Sequence, residues 1–525
     1  MWKHSERELL PGLLAQDWDI VIVGGGITGA GILLEASRRG LHALLVEQRD
    51  FAWGTSSRSS KLVHGGLRYI KEGKLKLTRD SVRERENLMR EAPGLVDPQP
   101  FAFASYKKRK PGRWAFSLGL AIYDRMAKRG ERHWYAGNEF LMLAPNVGRE
   151  GLQGGLCYTD AKTDDARLVL RVLQEAVAAG GHAVNYLAAQ ELDRHEGKVG
   201  GLVLRDGVTD VQYRVRAKVV INATGAWADS LRLAGNKGHK LRPLRGSHLI
   251  LPAWKLPLAQ AVSFMHPRDG RPVFAFPWEG ATLVGTTDVD HREDLKREAA
   301  ITAEEAHYLM QALRHQFPQT AFDASDVISS YAGVRPVIDT GKSDPSKEGR
   351  DHAVWMEDGL LTVTGGKLTT FRLIALDALK HAAARLPKWK HQLDLRPVFR
   401  EFVLPRSQRL TATQHARLAG RLGINAQSMI AQAKDHELQT IDGTETLWAE
   451  LRWAARHEAV HHLDDLLLRR TRLGLLLAQG GAAILPRVRE LCQAELAWDD
   501  ARWEREEADY RTLWNKHYAP PGAAA

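Results

Sequence analysis

The first clear pattern along the chain is a run over 18–23, apolar at every position but Asp19, stopped by Gly24-Gly25-Gly26 and followed by a stretch over 30–39 that closes at Gly40. A short apolar run bounded by glycine predicts a buried strand, and the longer stretch with a glycine beyond its end predicts a helix. A second strand over 43–47, apolar up to its last residue Glu47, completes a βαβ unit. Farther on, Leu168, Leu170, Val172, Leu173 and Val177 predict a helix opened by Asp164-Asp165 and ended by Gly180-Gly181, and 218–221 predicts another strand.

The pattern changes at Gly246. Short alternating runs such as PVFAFPW and ATLVGTTD predict an antiparallel sheet over 246–330. The run over 360–364 returns to a buried strand, and Gly365-Gly366 turn the chain into a helix starting near Leu368. Beyond Pro405 the chain is rich in Ala, Leu, Arg and Glu, which predicts a separate helical domain.

The chain has 525 residues, more than one hydrophobic core usually supports. Apolar residues make up 44% and charged residues 26%, and no apolar stretch is long enough for a membrane span. The first sixteen residues mix charges with Pro11 and lack the apolar core of a secretory signal, so a cytoplasmic location is expected. With only Cys157 and Cys492, neither a disulfide scaffold nor a cluster held by several thiolates of this chain can form. Redox chemistry would need an organic cofactor.

The net charge of +11 permits phosphorylated ligands, anionic membranes or nucleic acid alike. Its placement says more. Lys107-Lys108-Arg109-Lys110 and Arg113 precede Trp114, Phe116, Leu118, Ile122 and Tyr123, and Arg125, Lys128 and Arg129 follow. Such a segment suits either an ordinary surface helix or one lying on an anionic lipid surface.

Gly24, Gly26 and Gly29 stand at G-x-G-x-x-G spacing between the predicted strand and helix, where backbone N–H groups can approach a dinucleotide pyrophosphate. Glu47, eighteen residues beyond Gly29, ends the next strand, where a carboxylate can accept ribose hydroxyl protons. This fingerprint does not separate FAD from NAD.

Further motifs do. VGGGITGAG at 23–31, TSSRSSKLVHGGLRY at 55–69, DDARLVL at 164–170, NATGAW at 222–227, RGSHLILP at 245–252, GTTD at 285–288, GVRP at 333–336 and TGGKLTT at 364–370 occur in this order. Together they resemble the FAD-dependent glycerol-3-phosphate dehydrogenases, within the flavoproteins related to D-amino-acid oxidase, over nearly the whole chain. The resemblance implies an α/β fold: a Rossmann-type FAD-binding domain at 17–245 and 331–390, a substrate-binding antiparallel sheet inserted at 246–330, and a C-terminal helical domain at 391–518. Residues 1–16 would be an extension and 519–525 a loose tail.

By the same resemblance, FAD is the cofactor, with Gly24, Gly26, Gly29, Glu47, Ser57, Ser60, Lys61, Thr224, Gly225, Gly365, Gly366, Lys367, Leu368 and Thr369 around it. Arg68, Tyr69, Thr287, Arg335 and Lys367 would form the pocket for sn-glycerol 3-phosphate, whose phosphate suits guanidinium and ammonium donors. Hydride would pass from C2 to flavin N5, giving dihydroxyacetone phosphate, while His248, Arg335 or Lys367 manages the hydroxyl proton. Their separate roles stay open. Electrons would go to a membrane quinone, with the protein held peripherally at the inner face of the cytoplasmic membrane; a homodimer is compatible with the sequence.

The alternatives are an oxidase that hands electrons to oxygen, an amino-acid oxidase of the same fold, and a basic nucleic-acid-binding protein. The last lacks a recognised binding module. No covalent flavin link at His64 is expected, and no metal site: RHEAVHHLDDLLLRRT, with His457, His461, His462, Asp464 and Asp465, reads as a helix with an exposed polar face.

Overall fold

The computed structural model describes every residue except 1, 3, 108–111, 128–129, 131, 233–239, 343–347, 350, 387–388, 390–392 and 522–525. The apolar run at the start forms the strand Asp17–Val23, which pairs in parallel with Ala43–Val46 on one side and Gln212–Asn222 on the other. Ile20, Val21 and Ile22 are fully buried. Helices cover the sheet, so both faces of each inner strand are apolar and the pattern is a continuous run rather than an alternation. On one side lies the helix Ile27–Ser37, packed against Asp165–Ala178 and Phe371–Ala382. Gly31 permits the close approach, since a Cβ there would come 2.8 Å from the Phe371 ring.

The full order of this sheet is His352–Glu357, Leu360–Gly365, Gln212–Asn222, Asp17–Val23, Ala43–Val46 and His182–Val184, with the hairpin Leu187–His195 and Lys198–Asp206 added antiparallel to Gln212–Asn222. The glycine turns after Val23, Asn222 and Thr364 therefore all fall at the same edge, the carboxyl ends of neighbouring parallel strands. That edge is where ligands bind in open α/β sheets.

The second sheet is larger than the expected insertion at 246–330. Its ten strands include Leu62–Val63, Val96–Tyr106, His133–Ala136 and Leu152–Thr163, and the pair Leu241–Pro252 with Ser329–Ile338 overruns both expected ends. Val96–Tyr106 is hidden in the sequence by Pro98 and Pro100, which read as strand breakers. In the ladder they sit opposite Ala161 and Thr159 of Leu152–Thr163.

The C-terminal part is helical, including Ala412–Leu422, Trp448–His457, Leu485–Cys492 and Asp500–His517. The expectation of an exposed polar face over RHEAVHHLDDLLLRRT is corrected. Asp465–Arg470 is a π-helical turn, and Asp465, Arg469, Arg470 and Arg472 are buried. Their charges point back into the first domain: Arg470 bonds both oxygens of Asp50 at 2.6 and 2.8 Å, and Arg472 bonds Asp164 at 2.9 Å. Arg167 returns the contact to Glu458 at 2.6 and 2.8 Å. Full pairing answers the cost of burying these ions, and removing one partner would leave a bare charge. The chain end is tied down as far as Tyr518 and Ala519, whose carbonyls accept from Ser330.

Candidate active site

The first glycine turn is shaped by what its residues lack. Gly24 has φ +117°, and a Cβ on it would lie 2.6 Å from the Ala223 carbonyl; a Cβ on Gly29 would lie 1.9 Å from the Gly24 carbonyl. Gly26 is the N-cap of Ile27–Ser37 and offers no side-chain cap. Glu47 lies against the turn, accepting from Gly25 N at 2.7 Å and Arg49 N at 3.0 Å. Burial raises its pKa, and those two backbone bonds oppose the rise.

Two other glycine turns adjoin it. Thr224 donates its hydroxyl to Asn222 Oδ1 at 2.7 Å, and the Gly225 carbonyl accepts from Thr364 at 3.1 Å, so the turns after Asn222 and Thr364 touch. Gly365 and Gly366 both have positive φ, +78° and +77°; a Cβ on the second would lie 2.4 Å from Ile374. Leu368–Thr370 then makes one tight turn into Phe371–Ala382, with Leu368 packed on the core and Thr369 donating to the His64 carbonyl at 3.2 Å. This cradle of glycines and helix starts, backed by a terminal carboxylate, fits the pyrophosphate and ribose of a dinucleotide.

Lys367 projects from the last of these turns. Its ammonium donates to Ser81 Oγ at 2.6 Å and lies 4.2 Å from the centre of the Tyr69 ring. Gly66 lies below that ring, where a Cβ would be 2.2 Å from it. Arg68 begins the short helix Arg68–Lys71, and its side chain lies outside the described residues.

A second group lies on one face of the pair Leu241–Pro252 and Ser329–Ile338. Register sets His248 opposite Tyr331, Gly246 opposite Gly333 and Leu244 opposite Arg335. Gly246 leaves room for the Arg335 guanidinium, which would meet a Cβ there at 2.2 Å. Arg335 is a quarter exposed and bonds Asp288 at 3.2 Å and Thr286 at 3.0 Å. His248 stacks on Tyr331 at 4.7 Å and bonds Ser60 Oγ through Nε2 at 2.9 Å. Burial first, then the charges of Arg335 and Lys61, holds its pKa well below the ordinary histidine range, so the imidazole is neutral. The segment carrying Ser60, Gly66 and Tyr69 joins the two groups.

Three expected contacts have other work. Thr287 accepts from Ser247 N at 2.9 Å and donates to Glu305 at 2.7 Å, leaving Arg335 to its neighbours Thr286 and Asp288. Lys61 is fully buried against Asp165 at 2.8 Å, and burial followed by Arg472 brings its pKa down to about 7. Ser57 is buried, and its carbonyl accepts from Lys61 and from Arg472. Sequence reasoning missed Ser81, Thr286, Asp288 and Tyr331; only Thr286 and Asp288 had a signal, as neighbours of Thr287 in GTTD. Among the described residues no group of His, Cys, Asp or Glu could hold a metal ion.

The two-sheet fold, with a dinucleotide cradle at one sheet's carboxyl edge and a cationic face on the other sheet, defines a dinucleotide-dependent oxidoreductase. Residues 19–372 match the family model of FAD dependent oxidoreductases, and residues 383–503 that of the C-terminal domain of alpha-glycerophosphate oxidase. An aerobic glycerol-3-phosphate dehydrogenase of Bacillus subtilis (strain 168) is 41% identical over 70% of this chain and 68% of its own. One of Staphylococcus aureus (strain USA300) is 35% identical over 89% of each chain. The solved glycerol-3-phosphate dehydrogenase of Bacillus halodurans, complexed with FAD, superposes with a TM-score of 0.77 at 28% identity over 98% of each chain. The chain therefore belongs to the FAD-dependent glycerol-3-phosphate dehydrogenase family, and its cofactor is FAD.

Proposed function

We propose that this protein oxidises sn-glycerol 3-phosphate to dihydroxyacetone phosphate and delivers the electrons to a membrane quinone. The observation that carries the reading is Arg335 on the second sheet beside a neutral buried histidine, with a second cation, Lys367, at the cofactor cradle. The relatives named above bear that substrate in their names.

Gly24, Gly26, Gly29 and Glu47 hold the FAD pyrophosphate and ribose, with the turns at Thr224-Gly225 and Gly365-Gly366 beside them. FAD when bound supplies the hydride acceptor. Arg335, Lys367 and Tyr69 bind the substrate phosphate and set C2 in place, joined by Arg68 from the same motif. His248 receives the hydroxyl proton; being neutral, it has a free lone pair to do so. Arg335, fixed by Asp288 and Thr286, also stabilises negative charge developing on the substrate oxygen.

The helix Arg113–Ala127 favours quinone as acceptor. Leu120 and Tyr123 are buried, whereas Trp114 is 81% and Leu118 65% exposed, one turn apart on the outer face. A tryptophan and a leucine so placed suit insertion at a lipid headgroup boundary, on the cytoplasmic side of the membrane. Lys107, Arg125 and Arg132 are exposed nearby in sequence; Lys108, Arg109, Lys110, Lys128 and Arg129 lie outside the described residues. No helix among the described residues is long and apolar enough to cross a membrane.

Turnover with glycerol 3-phosphate, followed in parallel by reduction of a soluble quinone analogue and by peroxide release in air, tests the acceptor. Faster quinone reduction with little peroxide is expected. Stoichiometric peroxide and no quinone reduction would make the protein an oxidase, the activity for which its C-terminal family is named.

A further inference from the structure

The proposed base is sealed off from solvent. His248 is 0% exposed, yet the proton it must take starts on a substrate hydroxyl. Its ring is enclosed on three sides. Tyr331 covers one face at an interplanar angle of 11°. Gly285 closes the Cδ2 edge, where a Cβ would come within 2.1 Å. Among the described residues Nδ1 is buried with no hydrogen-bond partner, and the one polar contact of the ring is Nε2 to Ser60 Oγ. Ser60 is only half-buried, and its hydroxyl is thus the way in to the imidazole.

Ser60 is also held firmly by its neighbours in sequence. Ser59 N donates to Asp165 at 2.8 Å, and the Ser59 carbonyl accepts the Tyr331 hydroxyl at 2.8 Å. On the other side the Lys61 ammonium is paired with Asp165 and lies 4.6 Å from the centre of the Tyr331 ring. The tyrosine that stacks on His248 therefore also anchors the backbone that presents Ser60. A hydroxyl both donates and accepts, so it can pass a proton without changing its own state.

Resting on the assignment of His248 as base, we infer that Ser60 is a catalytic residue that relays the C2 hydroxyl proton of the substrate to His248. As the substrate O–H bond breaks, Ser60 Oγ gains that proton and gives its own to Nε2. One N–H bond forms on His248, Ser60 ends as it began, and the C2–H electron pair leaves as the hydride of the proposed oxidation. The charged groups around the ring are Arg335 and Lys61; both favour a neutral imidazole before the transfer, and the substrate phosphate dianion offsets them during it. The role differs from a cofactor contact, which is what the family resemblance implies for Ser60.

The test compares holoenzymes carrying Ser60→Ala, Ser60→Thr and His248→Asn, measuring FAD content by absorbance and flavin reduction by glycerol 3-phosphate in anaerobic stopped flow. For Ser60→Ala the reduction constant per bound FAD should fall by about 10²-fold or more, the scale of general-base catalysis, with substrate KM close to the parent value and most of the rate regained in Ser60→Thr. A parent-like constant in Ser60→Ala, including one that accompanies mere loss of FAD, would overturn the relay if His248→Asn is impaired. If His248→Asn also keeps the parent constant, it is the assignment of the base that fails. Should Ser60→Ala yield no holoenzyme, Ser60→Cys serves: a thiol in the relay shifts the pH dependence of the reduction constant, and an unshifted profile would overturn the proposal.

Discussion

At the scale of single residues the site depends on charges fixed by neutral or oppositely charged partners. Arg335 is aimed by Asp288 and Thr286, which leaves part of its guanidinium for a substrate phosphate. A hydrogen bond to a charged group contributes about 1.5–3 kcal/mol. Arg335→Met is therefore expected to raise the KM for glycerol 3-phosphate about 10- to 100-fold with FAD still bound, which steady-state kinetics and flavin absorbance check together. His248 gives a pH prediction. A base works when deprotonated, and the depressed pKa of His248 places its protonation well below 6.5. Flavin reduction should consequently stay flat on the acid side down to about pH 6; an acid limb centred near 6.5 would mean an ordinary, solvated histidine. Ser81 was not legible at this scale. It stands 286 residues from Lys367, on a helix whose sequence carries no motif, and only the folded chain brings the two together.

At the scale of elements, the glycine turns position the cofactor because they allow backbone to approach backbone. Gly29 is the strictest case: a methyl group there would overlap the Gly24 carbonyl at 1.9 Å, and neither group is a flexible side chain. Gly29→Ala should purify with much less FAD than the parent and recover little on adding excess FAD, as read from the absorbance ratio of flavin to protein. This turn could be read from sequence because strand, glycine spacing, helix and Glu47 are local features within one βαβ unit. The second sheet was legible only in part. Its 272–278 and 281–285 strands stand out as short apolar runs, the second buried at every position, whereas Val96–Tyr106 contains two prolines and pairs with Ala261–Met265, which lies far along the chain. Alternation reports which residues face a core; it does not report which sheet they join.

At the scale of the whole molecule, the C-terminal helical domain is joined to the flavin domain by buried ion pairs rather than by apolar packing alone. Asp50 sits just beyond the strand Ala43–Val46, and it receives both Arg469 and Arg470 in the buried interior. Asp50→Ala would strand the Arg470 guanidinium and leave Arg469 with Asp464 and Asp465 alone, and is expected to destabilise the protein by about 3–5 kcal/mol, seen as a lower denaturation midpoint. The sequence shows these charges as a polar run, RHEAVHHLDDLLLRRT, because Asp50 lies 420 residues from Arg470 and Arg167 lies 291 residues from Glu458, and nothing local marks them as buried. The same reach gives the C-terminal domain a hold on the site: Arg472 bonds Asp164 and the Ser57 carbonyl, at the start of the segment that carries Ser60 and Tyr69.

The most direct test of the central claim is to mix the FAD-loaded protein with sn-glycerol 3-phosphate in the absence of oxygen and follow the flavin band near about 450 nm, then add a quinone analogue. The account predicts bleaching by glycerol 3-phosphate, none by glycerol or amino acids, and recovery of the band on adding the quinone. A flavin that stays oxidised with glycerol 3-phosphate would contradict it.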